Sequence, residues 1–409
     1  MNVLIRNARV ITAPAPGPLR GNALGALRVL PRADVRTQDG LIAEVSTTPL
    51  PGPPGIDAHG RVLMPAFIDC HTHALWAGSR TDEWQQKLQG ASYLDILKAG
   101  GGIMSTVRAV RDATPQSLLT QLRTRCEQWF LPQGTTTLEV KSGYGLSTES
   151  ELKMLRVIAQ ANAQRPAPHG PTSLLPTALI AHALDPDLPA QDFIRRTIHE
   201  TLPAVHAEFP SIPIDAYCEN AAWPLDATVE LFERAKALGH PLRVHADQFN
   251  PLGMVREAIR LGALSVDHLE ASTDADLDAL AASPTFAVIL PICALHLGGR
   301  SARARRFVDA GGALALATNC NPGSAPSASM PLAIALAVRH CGLSPAEAIN
   351  ACTANAAALL GLTDRGTITP GARADLILLR HTDERHLAYE LGGNPVECVI
   401  AGGQVVHTR

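Results

Sequence analysis

Short apolar runs recur along the middle of the chain, each followed by a longer stretch in which apolar positions return every three or four residues. Eight such runs stand at Ala66–Cys70, Thr135–Val140, Leu174–Ile180, Pro213–Cys218, Leu242–Ala246, Leu264–Asp267, Phe286–Leu290 and Ala313–Ala317. Near-continuous apolar character suits parallel strands buried on both faces. Helical spacing is clearest over Glu149–Gln164, Ala227–Leu238, Met254–Leu261 and Asp274–Ala282. Strand–helix alternation repeated eight times predicts an α/β fold, a (β/α)8 barrel of the TIM type.

The two ends of the chain read differently. Residues 1–65 hold short β-like runs (Val3–Ile5, Arg9–Thr12, Leu41–Val45) between Gly/Pro turns, and residues 366–409 do the same over Gly366–Leu379 and Val396–Val406. The expectation is a small β-sandwich domain built from 1–65 plus 366–409, with 66–365 as the barrel. A chain of 409 residues is long enough for both.

Polar groups gather where the apolar runs stop. The first run leads into His71 and His73, the second into Lys141, Ser142 and Tyr144, and the third into His182. The fourth ends at Glu219 and Asn220, the fifth at His245, Asp247 and Gln248, the sixth at His268 and Glu270, and the eighth at Asn319 and Asn321. In this fold the active site forms at the carboxyl ends of the strands. The spacing His71-Thr72-His73 puts two imidazoles on one side of an extended segment. With His245 and His268 at later strand ends, three or four nitrogens converge on a mononuclear metal site with an open position for water. Zn²⁺ suits imidazole-rich ligation, and Fe²⁺ is the alternative. Lys141 reads as a structural or substrate-facing lysine; its other reading is a carbamylated bridge between two metals.

Bulk composition narrows the partners. Charged residues make up 18% of the chain and the net charge is −3, which gives no electrostatic bias toward nucleic acid or an anionic membrane. No apolar run reaches the roughly 18–20 residues of a membrane span. The first residues lack the basic and long apolar regions of a signal peptide, so the expected location is cytoplasmic. Eight dispersed cysteines without a C-x-x-C read as reduced thiols.

The chain resembles the imidazolonepropionase branch of the amidohydrolase superfamily over nearly its whole length. The motifs that carry the likeness are Ile68-Asp-Cys-His-Thr-His73, Leu88-Gln-Gly-Ala-Ser-Tyr93, Ala99-Gly-Gly-Gly-Ile103, Glu139-Val-Lys-Ser-Gly-Tyr-Gly-Leu146, His245-Ala-Asp-Gln248, Asp267-His-Leu-Glu270 and Asn321-Pro-Gly-Ser324. The resemblance implies a homodimer that hydrolyses 4-imidazolone-5-propionate to N-formimino-glutamate, with activated water attacking the ring carbon between the two nitrogens. It makes His71, His73 and His245 metal ligands and Asn319 the fourth ligand and proton shuttle. His268 would serve the attacking water and Gln248 the ring. Arg80, Tyr144, His182, Asn321, Gly323 and Ser324 would hold the substrate, with Arg80 and Asn321 on its propionate carboxylate.

The sequence departs from the family pattern at two places. The family carries Asp where this chain has Asn319. An amide oxygen can ligate a metal but takes no proton near neutral pH, and general acid–base steps are worth about 10²–10⁴-fold. The open readings are a substitute base, His268 first; a non-catalytic pocket; or an Asp→Asn change engineered to trap a ligand. The second departure is Leu290–Gly299, where Cys293, Ala294 and His296 replace the family's aromatic residues. A softer ring atom would suit that change, so the alternative substrate is 3-(5-oxo-2-thioxoimidazolidin-4-yl)propionate, hydrolysed with release of sulfide, as in ergothioneine breakdown.

Overall fold

The computed structural model describes residues 3–90, 101–164 and 172–409. The N-terminal segment supplies five strands: β1 (Val3–Thr12), β2 (Arg28–Gln38), β3 (Leu41–Ser46), β4 (Ile56–Asp57) and β5 (Val62–Pro65). Eight more follow: β6 (Phe67–Asp69), β7 (Thr135–Lys141), β8 (Ser173–Ala181), β9 (Ile214–Cys218), β10 (Leu242–Ala246), β11 (Ser265–His268), β12 (Phe286–Ile289) and β13 (Leu314–Leu316). The chain ends with β14 (Leu376–Leu379), β15 (Val396–Ala401) and β16 (Gln404–Thr408).

Strands β6 to β13 form one parallel sheet in sequence order, with helices between. The eight apolar runs therefore are the eight barrel strands, displaced by at most two residues at either end. The helices at Met254–Leu261 and Asp274–Ala282 have the expected bounds. Past the last paired residues, β13 and β6 are stitched together. Asn319 N–H donates to His71 C=O at 3.1 Å, and His73 N–H donates to Cys320 C=O at 3.0 Å. Asp69 accepts from Thr318 N–H at 3.1 Å and from its hydroxyl at 2.5 Å. The chain's first and last barrel segments thus meet where the candidate histidines lie.

The remaining strands form a second sheet, in the order β16-β15-β14-β5-β1-β2-β3, with β4 on β1. Both chain ends contribute, and they join where Leu63 of β5 faces Leu378 of β14. Where a sandwich was expected, one sheet curls over a single core that includes Ile5, Val35, Leu63, Leu376 and Ile400. Ile42 N–H reaches Ala372 C=O at 2.7 Å to hold the curl. Strand β2 is not evident in the sequence. Its residues RVLPRADVRTQ mix charges and a proline, because the first half is largely exposed.

Two of the quoted motifs, Leu88–Tyr93 and Ala99–Ile103, run into residues 91–100, which lie outside the described residues. All eight cysteines are free and buried.

Candidate active site

Two segments bring three imidazoles together. Strand β6 stops at Asp69, so His71 and His73 sit just beyond its last paired residue, while His245 lies inside β10. One ring nitrogen from each falls within 4.8 Å of the others. The Nε2 atoms of His73 and His245 are 3.3 Å apart. The Nδ1 atoms of two of these rings point away toward carboxylates: His71 to Asp267 at 2.6 Å, and His245 to Asp215 at 3.1 Å. A carboxylate that accepts Nδ1–H fixes the tautomer and turns Nε2 inward, as metal sites require.

Burial pushes His71 and His73 well below the usual histidine range, helped by the charge of Lys141 on His71 and of His182 on His73. Neutral rings are the form a cation needs. His71 Nε2 and Asn319 Oδ1 are both buried and have no hydrogen-bond partner among the described residues. Leaving such groups unpaired costs roughly 1–3 kcal/mol each, and a cation would satisfy both. The residues present therefore fit a divalent ion.

Beneath the histidines lies a belt of buried charges that sequence reasoning missed. Lys141 Nζ contacts Glu139 at 2.8 Å and Asp215 at 2.7 Å. Arg243 contacts Asp267 at 2.8 Å and Glu139 at 3.3 Å, and donates to Cys70 C=O at 2.8 Å. Burial alone would raise Asp215, yet His245, Lys141 and Arg243 hold it well below the usual carboxylate range. Lys141 is thus committed to two ion pairs as a structural lysine. The available signal was the presence of Glu139, Lys141, Asp215, Arg243 and Asp267 inside otherwise apolar strands, at inward-facing positions.

A cavity of about 230 Å³ opens above the rings. Its walls include His73, His245, His268 and Asn319, together with Arg80, Tyr144, His182, Gln248, Asn321, Gly323 and Ser324. Every residue expected at the site lines this cavity except His71, which lies fully buried below it. Arg80 Nε is held by Glu83 at 2.6 Å. A Cβ at Gly323 would stand 2.9 Å from Arg80 Nη1, so glycine leaves room for the guanidinium. The Tyr144 turn is built by Glu151, whose carboxylate accepts the N–H groups of Gly143, Gly145 and Leu146 at 2.7–2.9 Å. His182 Nδ1 pairs with Gly143 C=O at 2.9 Å. Burial pushes this ring down to about 3, with His245 adding to the shift.

His268 has Glu270 behind it at 3.3 Å. Asn321 behaves differently from its expected role. Its amide nitrogen donates to Asn319 C=O and Ser324 Oγ, and its oxygen accepts from the N–H groups of Gly323 and Ser324. It builds the loop and has no free amide hydrogen for a carboxylate.

Tyr217 and Lys87 also line the cavity, and neither was expected. The Tyr217 hydroxyl donates to Gln248 Oε1 at 2.8 Å. Gln248 Nε2 lies 3.4 Å from Cys293 Sγ. Burial pushes the Cys293 thiol up to about 12, against hydrogen bonds involving Ser324, Asn319 and Gln248. The departing segment is the helix Pro291–Leu297, and it places Cys293 against the site. His296 lines an outer cavity of about 600 Å³ with Trp76, Trp84 and Trp129, which shares Arg80, Lys87 and Gly323 with the inner one.

Nine non-glycine residues have positive φ among the described residues, and six of them (Leu146, Ala221, Asp247, His268, Leu269 and Asn319) follow or end barrel strands at this mouth. Such backbone conformations cost about 1–3 kcal/mol each and persist where surrounding structure holds them.

The sequence profile described as "Amidohydrolase family" matches residues 62–406. Proteins named imidazolonepropionase align over almost the full length. The one from Deinococcus radiodurans is 43% identical, covering 97% of this chain and 97% of its own, and that from Herpetosiphon aurantiacus is 42% identical, covering 98% and 96%. A solved 5-methylcytosine deaminase from Klebsiella pneumoniae liganded with phosphonocytosine superposes with a TM-score of 0.74 at 17% identity, covering 100% of this chain and 98% of that one. An adenosine deaminase from Xanthomonas campestris with bound zinc gives 0.68 at 18%, covering 98% and 92%. These structural likenesses concern the fold.

Proposed function

Because the chain belongs to the amidohydrolase family, we propose that it is a metal-dependent hydrolase that opens the ring of 4-imidazolone-5-propionate to give N-formimino-glutamate. The observation that carries this reading is three neutral imidazoles aimed at one point, across a small cavity from the Arg80 guanidinium. His71, His73 and His245 would hold one divalent ion, Zn²⁺ before Fe²⁺, with the Asn319 amide oxygen as fourth ligand. That ion supplies Lewis acidity and makes water nucleophilic near neutral pH.

Arg80 binds the propionate carboxylate through its terminal nitrogens, a geometry a guanidinium serves better than an ammonium. Tyr144, His182 and Gln248 orient the ring, and Tyr217 holds Gln248. Gly323 and Ser324 form the wall beside Arg80, which moves the carboxylate role from Asn321 to Arg80 alone. Asn319 cannot carry a proton, so His268, backed by Glu270, takes it from water and returns it to the leaving nitrogen.

Bond balance relocates the attack. Formimino-glutamate keeps the N–C–N unit intact and gains a carboxylate, so the ring C(=O)–N bond breaks. Water must add to the ring carbonyl carbon, and not to the carbon between the nitrogens.

A second reading rests on Cys293, a soft, polarizable group seated against Gln248 and Asn319. It is hydrolysis of the 2-thioxo ring with release of sulfide, and there the attack does fall between the two nitrogens. The two substrates would therefore sit in different orientations. We take the enzyme as a cytoplasmic homodimer whose barrel spans 66–365. No helix of the described residues is long and apolar enough to cross a membrane.

Turnover of the metal-loaded protein on both rings tests the proposal, with the ring-opened product read by mass and sulfide by colour. Formimino-glutamate without sulfide is expected. Sulfide from the thioxo ring, with little action on the imidazolone, would replace the first reading by the second. No turnover of either ring, with metal bound, would reject both.

A further inference from the structure

A second group of metal-ligating side chains lies far from the barrel mouth in the fold, on the segment after β14. It comprises His381, His386 and Glu390, with one ligand atom from each within 4.8 Å of the others. None of the three lines the catalytic cavity. We propose that they form a second, peripheral site for a borderline divalent ion such as Zn²⁺ or Cu²⁺.

The donor set is the right kind for such ions: two imidazoles and one carboxylate. His386 and Glu390 are four residues apart across the short helix His386–Tyr389, which brings their side chains to one side. His381 Nε2 lies 2.5 Å and His386 Nδ1 3.4 Å from the same oxygen, Glu390 Oε1. His386 Nδ1 is buried and makes no hydrogen bond among the described residues.

The contacts around the two rings also suit a cation. Arg380 Nε donates to His381 Nε2 at 3.0 Å. A guanidinium can only donate, so that nitrogen is the acceptor of this contact. The two rings stack face to face, with centroids 3.8 Å apart and planes 8° from parallel. A ring nitrogen and a carboxylate oxygen 2.5 Å apart make a spot that attracts positive charge. Arg380 supplies it, through Nε on His381 and Nη2 on Glu390. Arg380 is 44% exposed, and its Nη1 also reaches Asn394 C=O at 3.5 Å. An incoming ion would thus exchange with a guanidinium for two of the three residues, His381 and Glu390, and the rings would splay to aim both nitrogens at it.

Zn²⁺ titration of the full chain tests this, with the inner site loaded first and calorimetry reading the remaining binding. The wild type should take a second equivalent, and Cu²⁺ placed there should show nitrogen hyperfine splitting in its paramagnetic resonance spectrum. H386A and E390Q should each weaken that equivalent by more than the roughly 10–100-fold that outer-shell partners cost, with the first equivalent and turnover unchanged. R380Q should strengthen it, because the competing cation is gone. A wild type that binds one equivalent only would overturn the proposal. So would a second equivalent that survives in both variants. Should H386A lose its thermal transition, E390Q decides alone. Weaker binding in R380Q would refute the exchange with Arg380.

Discussion

The floor and the mouth of the candidate site are built on opposite rules. In the floor, Glu139, Lys141, Asp215, Arg243 and Asp267 are buried and knit into ion pairs at 2.7–3.3 Å. At the mouth, His71 Nε2 and Asn319 Oδ1 have no hydrogen-bond partner among the described residues, and Arg80 Nε is tied to Glu83. The floor spends its polar groups on each other and fixes ring orientation. The mouth keeps its groups for something the protein does not provide. The difference separates residues that hold the site from residues that use it, although both kinds are buried polar side chains on the same strands.

The largest test of that division is H245A. It removes a proposed ligand and leaves the charge of Asp215 without its imidazole. Metal content should fall to background and turnover with it; an active, metal-replete H245A would erase the distinction between mouth and floor. Next comes N319D, which restores a carboxylate at the mouth. Turnover should rise by about 10²–10⁴-fold, the usual worth of a positioned acid–base group, measured as kcat on the ring substrate. An unchanged kcat would show that His268 already does this work.

K141M strikes the floor and touches no substrate. It leaves Glu139 and Asp215 short of a buried partner, which costs about 3–5 kcal/mol of stability. Metal affinity should fall by about 10–100-fold, while KM of the reloaded enzyme stays near its wild-type value. A KM defect without a metal defect would move Lys141 to the mouth. The smallest effect should come from acid. His182 is held at about 3 against an ordinary value of 6.5. The unfolded chain therefore binds a proton between those values that the folded chain refuses. The stability this ring contributes is complete above about 6.5 and is lost as pH falls toward 3. Urea unfolding of metal-free protein should show lower stability at pH 5 than at pH 7.5; equal stabilities would count against a neutral, buried His182.

The barrel was legible because its strands are apolar runs of the right length, and their ends are marked by His71, His73, His245, His268 and Asn319. The floor was hidden for a physical reason. A charge inside an apolar strand has meaning only once its partner is known, and Lys141 and Asp215 are 74 residues apart. Asn321 looked like a contact for the substrate carboxylate because its amide can donate, whereas the loop takes up both its amide nitrogen and its oxygen. Lys87 sits at the mouth because it shares a helix with Glu83, one turn away, and spacing alone did not say which face of that helix turns inward. Strand β2 escaped because its exposed half carries no alternation to read.

The stitch between Asn319 and His71 has a temporal meaning as well. The chain leaves the ribosome from its N-terminus, so His71 and His73 emerge early and must wait for some 250 residues before Asn319 can close the ring beside them. Until then the first barrel segment has a neighbour on one side only, and β5 of the second sheet lacks β14. A nascent chain stalled short of residue 319 would hold three imidazoles without the wall that gathers them. Competence to bind an ion at the proposed site would in that sense mark the barrel as complete.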